Sequence, residues 1–122
     1  MKTLPNGITV FNATPHPIRF WKEGWDEPVE VETDVLINAK PEETVVKVNG
    51  DGITFVKTVF LPVKDENYEK AMRWREGGVI VIGSIVAAQA FPGEVVAMTP
   101  APGFERVPPD QKRMNPDKFT VF

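Results

Sequence analysis

The sequence predicts an α+β fold, a mainly antiparallel β-sheet with one or two short helices packed on one face. Three observations lead there. Twelve prolines and nine glycines cut the 122 residues into short pieces, which favours short strands and defined turns over long helices. Several pieces alternate apolar and polar residues with a period of two, the pattern of half-buried strands. Only two stretches, Asp65–Glu76 and Ile85–Phe91, have the character of helices. The length fits one domain over residues 1–122, with residues 108–122 set apart as a flexible C-terminal extension.

Taken in order, Gly7–Phe11 (GITVF) is β-branched and aromatic and reads as a strand. Pro17–Lys22 alternates, with Ile18 and Phe20 on one side and Arg19 and Trp21 on the other. The two read as strands joined by a rigid hairpin corner at Asn12–His16. Glu23–Glu27 is a turn, and Val29–Glu32 alternates again with its valines inward. Thr44–Val48 and Ile53–Val63 flank Asn49-Gly50-Asp51-Gly52, a strong turn signal, and form the clearest hairpin in the chain. Asp65 is placed to cap a helix through Glu76, ended by Gly77-Gly78. Val79–Ile82 (VIVI) suits a strand buried on both faces. Ile85–Phe91 carries small residues suited to a helix packed tightly on a sheet, stopped by Pro92-Gly93. Glu94–Met98 is a strand candidate, Thr99–Pro109 an extended loop, Asp110–Pro116 a polar stretch ordered by partners, and Phe119–Phe122 a final strand or docking tail.

Composition narrows the function. A net charge of −3 argues against an extended nucleic-acid surface, so a phosphate ligand would need a local cationic pocket. The chain has no cysteine, which excludes disulfides and thiolate metal sites and suggests a cytoplasmic setting. The N-terminal MKTLPNGITV does not read as a signal peptide, and nothing approaches the roughly 20 apolar residues of a membrane span. No Walker motif, dinucleotide fingerprint, EF-hand or zinc-finger spacing occurs, so no metal, cofactor or catalytic residue is expected.

Four groups of residues carry the candidate chemistry. In Asn12-Ala13-Thr14-Pro15-His16-Pro17, each proline disfavours helical geometry at the residue before it, which holds Thr14 and His16 extended. Turn chemistry explains Asn, Thr and Pro without a ligand; the other reading points Asn12, Thr14 and His16, the chain's one histidine, at a ligand. Gly83-Ser84 follows VIVI, where the glycine lets backbone approach a ligand and Ser84 either caps a helix or touches a phosphate. The cations Arg19, Lys57, Arg73, Arg75, Arg106, Lys112 and Arg113 form the third group. Within it Lys57 lies between Phe55 and Val59 on one strand face, partly buried and so in need of a partner, and Arg106 stands in a proline-rich loop. Trp21, Trp25 and Trp74 form the fourth, with Trp25 the one expected at the surface, to stack on a base or close an oligomer contact.

The order of these pieces resembles a family of small, mostly phage- and prophage-encoded proteins. That family begins with an Asn-Leu-Thr-Pro-His motif, continues through a Val-Val-Lys-Thr-x-Phe strand and a Ser-x-x-Val-Ala-x-Ala segment, and ends in a proline-rich loop carrying an arginine. The matching pieces here are Asn12–His16, Phe55–Phe60, Ser84–Ala90 and Thr99–Arg106. The family is in turn similar to the Thoeris anti-defence sponges, which bind cyclic ADP-ribose-type signals and hold them uncleaved. The resemblance implies a phage-encoded, non-enzymatic protein of the host cell cytoplasm. It would be a homo-oligomer, a dimer or hexamer, holding a small cyclic nucleotide near a subunit interface with no membrane partner. Lys57 and Arg106 fall on the family's motifs and would meet the pyrophosphate, beside an aromatic or apolar wall for the adenine. The ending departs from the pattern: Arg106-Val107-Pro108-Pro109 stands where an Arg-Asp pair is expected. Two other readings stand beside this one: a nucleotide-signal hydrolase or ring nuclease using His16 with Ser84 or a lysine, and a protein–protein inhibitor or virion-associated protein with no small ligand.

Overall fold

Strand β2 (Thr9–Asn12) runs parallel to β7 (Ile80–Ile82) and antiparallel to β1 (Lys2–Thr3), and this three-stranded sheet divides the molecule into two cores. The partition follows from the two-residue period of a strand. Phe11 and Val81 face one core, and Val10 and Ile82 face the other. VIVI is therefore buried from both sides, as its unbroken apolar run predicts. The computed structural model describes residues 1–122.

The first core is α-helical. It gathers Ala71 of α1 (Glu66–Glu76) with Ala87, Ala88 and Ala90 of α2 (Ile85–Ala90). Both helices thus lie on one face of the dividing sheet. Asp65 caps α1 by accepting from the Tyr68 amide at 3.1 Å. At its other end Val79 N donates to Trp74 O and Gly78 N to Arg75 O. This is a Schellman closure, and it needs the positive φ of +92° that glycine adopts freely. Tyr68 stacks on Phe91 with ring centroids 5.1 Å apart and donates its hydroxyl to Glu94 at 2.8 Å. Burial, and then that carboxylate, push the phenol above its ordinary pKa.

The second core is closed by a four-stranded sheet in the order β4 (Val29–Val31), β3 (Ile18–Phe20), β9 (Met114–Thr120), β8 (Ala97–Pro100). Ile18, Phe20 and Val31 point inward while Arg19 and Glu30 face out as a cross-strand pair. Three expectations change here. First, β2 and β3 do not form a hairpin. They belong to different sheets, and Asn12–His16 carries the chain from one to the other, since Pro15 and Pro17 have no amide to donate to a hairpin ladder. Second, residues 108–122 supply a 3₁₀ turn at Pro109–Gln111 and β9, an inner strand rather than an appended tail. Pro116 falls where the β8–β9 register shifts, so its missing donor interrupts no regular ladder. Its carbonyl accepts from Asn6 at 2.9 Å. Third, Trp25 packs against this core, and Trp74 on α1 is the exposed tryptophan.

The predicted hairpin forms the third sheet, β5 (Ala39–Val48) with β6 (Thr54–Pro62). It is longer than its sequence pattern suggests, because Pro41, Glu42 and Glu43 continue the strand on solvent-facing positions. Ala39 and Phe60 anchor its base to the helical core; the rest stands out as an arm. No helix is long and apolar enough to cross a membrane.

Candidate functional site

The bend between the two β-sheets is organised by one side chain. Asn12 is fully buried and uses its whole amide. Its Nδ2 donates to the His16 carbonyl at 2.8 Å and to the Val31 carbonyl at 3.0 Å. Its Oδ1 accepts from the Thr14 amide at 2.9 Å and faces the Thr14 hydroxyl at 2.6 Å. That hydroxyl also lies 2.9 Å from the His16 carbonyl and, having one proton, donates to one oxygen at a time. Asp34 closes the group by accepting from the Asn12 amide at 2.8 Å. Every buried side-chain nitrogen and oxygen in the molecule has a hydrogen-bond partner. Asn12 is thus spent on the bend and presents nothing to a ligand, while the His16 ring is left exposed and makes no hydrogen bond to the chain.

The bend forms one wall of a cleft of about 710 Å³. Thr14, His16 and Ser84 line it together with Arg19, Glu30, Asp110 and Lys112, over an apolar floor that includes Ile18, Met98 and Met114. Its far wall is the Pro109–Lys112 segment, held in two ways. Arg19 Nη1 donates to the Asp110 carbonyl at 2.8 Å. The Arg113 guanidinium lies over the edge-to-face pair of Trp21 and Phe104, 5.1 and 4.9 Å from their centroids.

The charges of the cleft are mixed. Arg19 is engaged with the Glu30 carboxylate at 3.5 Å. Lys112 has no ion-pair partner, nor does the Asp110 carboxylate. Ser84 Oγ accepts from the Ala87 amide at 3.1 Å, the cap its position predicts, and keeps its proton to donate. No hydrogen bond joins His16 to Ser84 or to a carboxylate, the links on which an activated nucleophile relies. No three His, Asp or Glu side chains gather as a metal site.

Of the six residues singled out in the sequence, Thr14, His16 and Ser84 meet in this cleft and Asn12 supports it from beneath. Lys57 and Arg106 do not line it. Lys57 stands exposed on the β5–β6 arm without an ion-pair partner; its apolar strand neighbours are themselves exposed, so the strand pattern that suggests burial is misleading there. Arg106 is exposed in the loop after β8. No Phe, Tyr or Trp lines the cleft; Ile18, the methionines and the prolines make its apolar surface. Gly83 also changes role. A Cβ there would lie 2.6 Å from Val95 Cγ1 and 3.1 Å from Ala87 Cβ, so the bare backbone serves close packing rather than a ligand. Arg19 and Lys112 are visible in the sequence as cations, but nothing local marks them out, because β3 and the 3₁₀ turn lie far apart in the chain and only the fold brings them together. Comparison with protein-family models, with curated proteins and with solved structures yields no match.

Proposed function

We propose that the protein is a non-catalytic binding protein that sequesters a small nucleotide-type ligand in the cleft between the Thr14–His16 bend and the Pro109–Lys112 segment. The observation that carries this reading is the juxtaposition of hydrogen-bond donors with acceptors over an apolar floor, Lys112 and Asp110 among them free of ion pairs. Lys112, Ser84 and His16 offer donors suited to phosphate, with Arg19 beside them. Glu30 and Asp110 offer acceptors suited to ribose hydroxyls or an exocyclic amine. A bare inorganic anion would gain nothing from those carboxylates, whereas a nucleotide uses both signs. The volume lies within the 300–1,000 Å³ usual for small-molecule sites.

The ligand class comes from the family resemblance: a cyclic ADP-ribose-type or other cyclic nucleotide signal, held uncleaved by a phage-encoded homo-oligomer in the host cytoplasm. Sequestration, rather than hydrolysis by His16, is favoured because His16 lacks the hydrogen-bonded partners of a general base.

The test is a thermal-shift titration against cyclic ADP-ribose isomers and cyclic dinucleotides, followed by recovery of the ligand. Ligand at 100 times its Kd stabilises by about 2.7 kcal/mol, a shift of several degrees for a chain of this size. A shift with intact ligand recovered supports sequestration. A converted ligand moves the assignment to an enzyme, and a flat response across the set overturns the nucleotide reading.

A further inference from the structure

The β5–β6 arm presents an unusual surface. Val45, Val46, Phe55, Val56, Val59 and Leu61 are each between 39% and 67% exposed, on both faces of a two-stranded ribbon. A run of exposed apolar side chains of this kind marks an interaction surface. A two-stranded hairpin standing in water is marginally stable on its own. Its two edges show where a further strand can add.

The two edges differ. β5 carries Pro41, Glu42 and Glu43 and has a bulge near Val46, features that blunt a strand against further pairing. β6 is regular from Thr54 to Leu61, with Lys57 its one charge and no proline before Pro62. No strand pairs with its outer side. That side carries a row of backbone donors and acceptors without partners in the chain, flanked by apolar side chains, with α2 packed against β6 where Phe60 meets the helical core.

We propose that β6 pairs antiparallel with β6 of a second copy of this chain about a two-fold axis at Thr58, giving a continuous four-stranded sheet in the order β5-β6-β6-β5. A strand paired with itself must keep like charges from lying opposite each other, and this register does so. Thr58 faces its own copy. Phe55 lies opposite the partner's Leu61, and Val56 opposite the partner's Phe60. Lys57 lies opposite the partner's Val59, which is already paired with Glu42 across the β5–β6 ladder. Lys57 thus enters the same cross-strand row as the partner's Glu42, and neither residue has an ion-pair partner within its own chain. A register one residue shorter would bring both copies of Lys57 to within one step of facing each other, and two shorter would set them directly opposite. The inference does not rest on the ligand reading, because association is measured with no ligand present.

The absence of cysteine makes the register directly testable. Thr58→Cys introduces one thiol on the proposed axis. Thr54→Cys introduces one that lies about 27 Å from its copy, at about 3.4 Å per residue, far beyond the reach of a disulfide. The expected result is a dimer by light scattering, rapid disulfide formation by Thr58→Cys under mild oxidation, and none by Thr54→Cys. Val56→Lys, a change at an exposed position, is expected to give a monomer of unchanged circular dichroism. A monomeric wild type overturns the proposal. So does a dimer that Val56→Lys leaves intact, or one in which Thr58→Cys links no better than Thr54→Cys.

Discussion

Asn12 Nδ2 donates to the His16 carbonyl at 2.8 Å, so the residue that ends β2 sets the course of the chain four residues later and leaves the histidine ring facing the cleft. Asn12→Leu would leave the Val31 carbonyl and the Thr14 amide without their partner in a buried place. Each orphaned group costs about 1–3 kcal/mol, so the substitution is expected to destabilise by about 3 kcal/mol or more. Urea unfolding measures it; a loss below 1 kcal/mol would mean that water reaches these groups.

Gly83→Ala tests the contact between the end of β7 and the segment before β8. The added methyl would meet Val95 Cγ1 at 2.6 Å, closer than carbon atoms approach, and neither neighbour can swing away as a long side chain could. Overpacking of this kind costs about 1–3 kcal/mol. The expected outcome is a lower melting temperature with no change in fold by circular dichroism. An unaffected melting temperature would show that β7 and Val95 are less tightly packed than these distances require.

Lys112→Ala and His16→Ala are expected to weaken nucleotide binding about tenfold or more, the loss of a charge-assisted contact, while leaving the melting temperature of the free protein nearly unchanged because both side chains are exposed. Lys57→Ala and Arg106→Ala, outside the cleft, are expected to bind as the wild type does. Isothermal titration of the four variants separates the cleft from the surface the sequence motifs suggest. The reverse pattern, with loss at Lys57 and Arg106 alone, would relocate the site to the arm and loop.

Asp117 provides a pH-dependent tie between β9 and the rest of the molecule. Hydrogen bonds from Asn6 at 2.9 Å and Lys22 at 3.0 Å hold its carboxyl below the ordinary 3.8. The folded state therefore binds this proton less readily than the unfolded chain does. The stability it contributes is present above pH 3.8 and is lost as pH falls through the depressed folded-state value. Unfolding midpoints of wild type and Asp117→Asn, followed from neutral pH into strong acid, are expected to converge below that range. A gap that stays constant with pH would assign the effect to packing instead.

Much of the local structure is legible in the chain. Asp65 and Ser84 read as helix caps and act as such, because a capping side chain bonds an amide two or three residues away and needs nothing distant. The alternation Ile18–Arg19–Phe20 reports which side is buried for the same reason. Where the reading fails, the cause lies farther off in sequence. Asp110–Pro116 reads as a polar stretch ordered by partners until Asn6 and Lys22, about a hundred residues away in the same chain, are seen holding Pro116 and Asp117 in a strand. Lys57 looks half-buried because its neighbours are apolar, but those neighbours line an arm that reaches no core.

The sequence by itself determined the α+β class, the two short helices and their caps, the Asn49–Gly52 hairpin turn and the buried β7 strand, all consequences of periodicity and short-range hydrogen bonding. Tertiary structure alone decided that β2 and β3 part into different sheets, that β9 enters between β3 and β8, and that Thr14, His16, Ser84, Arg19 and Lys112 line one cleft. Those outcomes depend on which strands pair across long stretches of chain, and a pairing choice is set by the burial of whole faces against each other, which no local pattern of residues encodes.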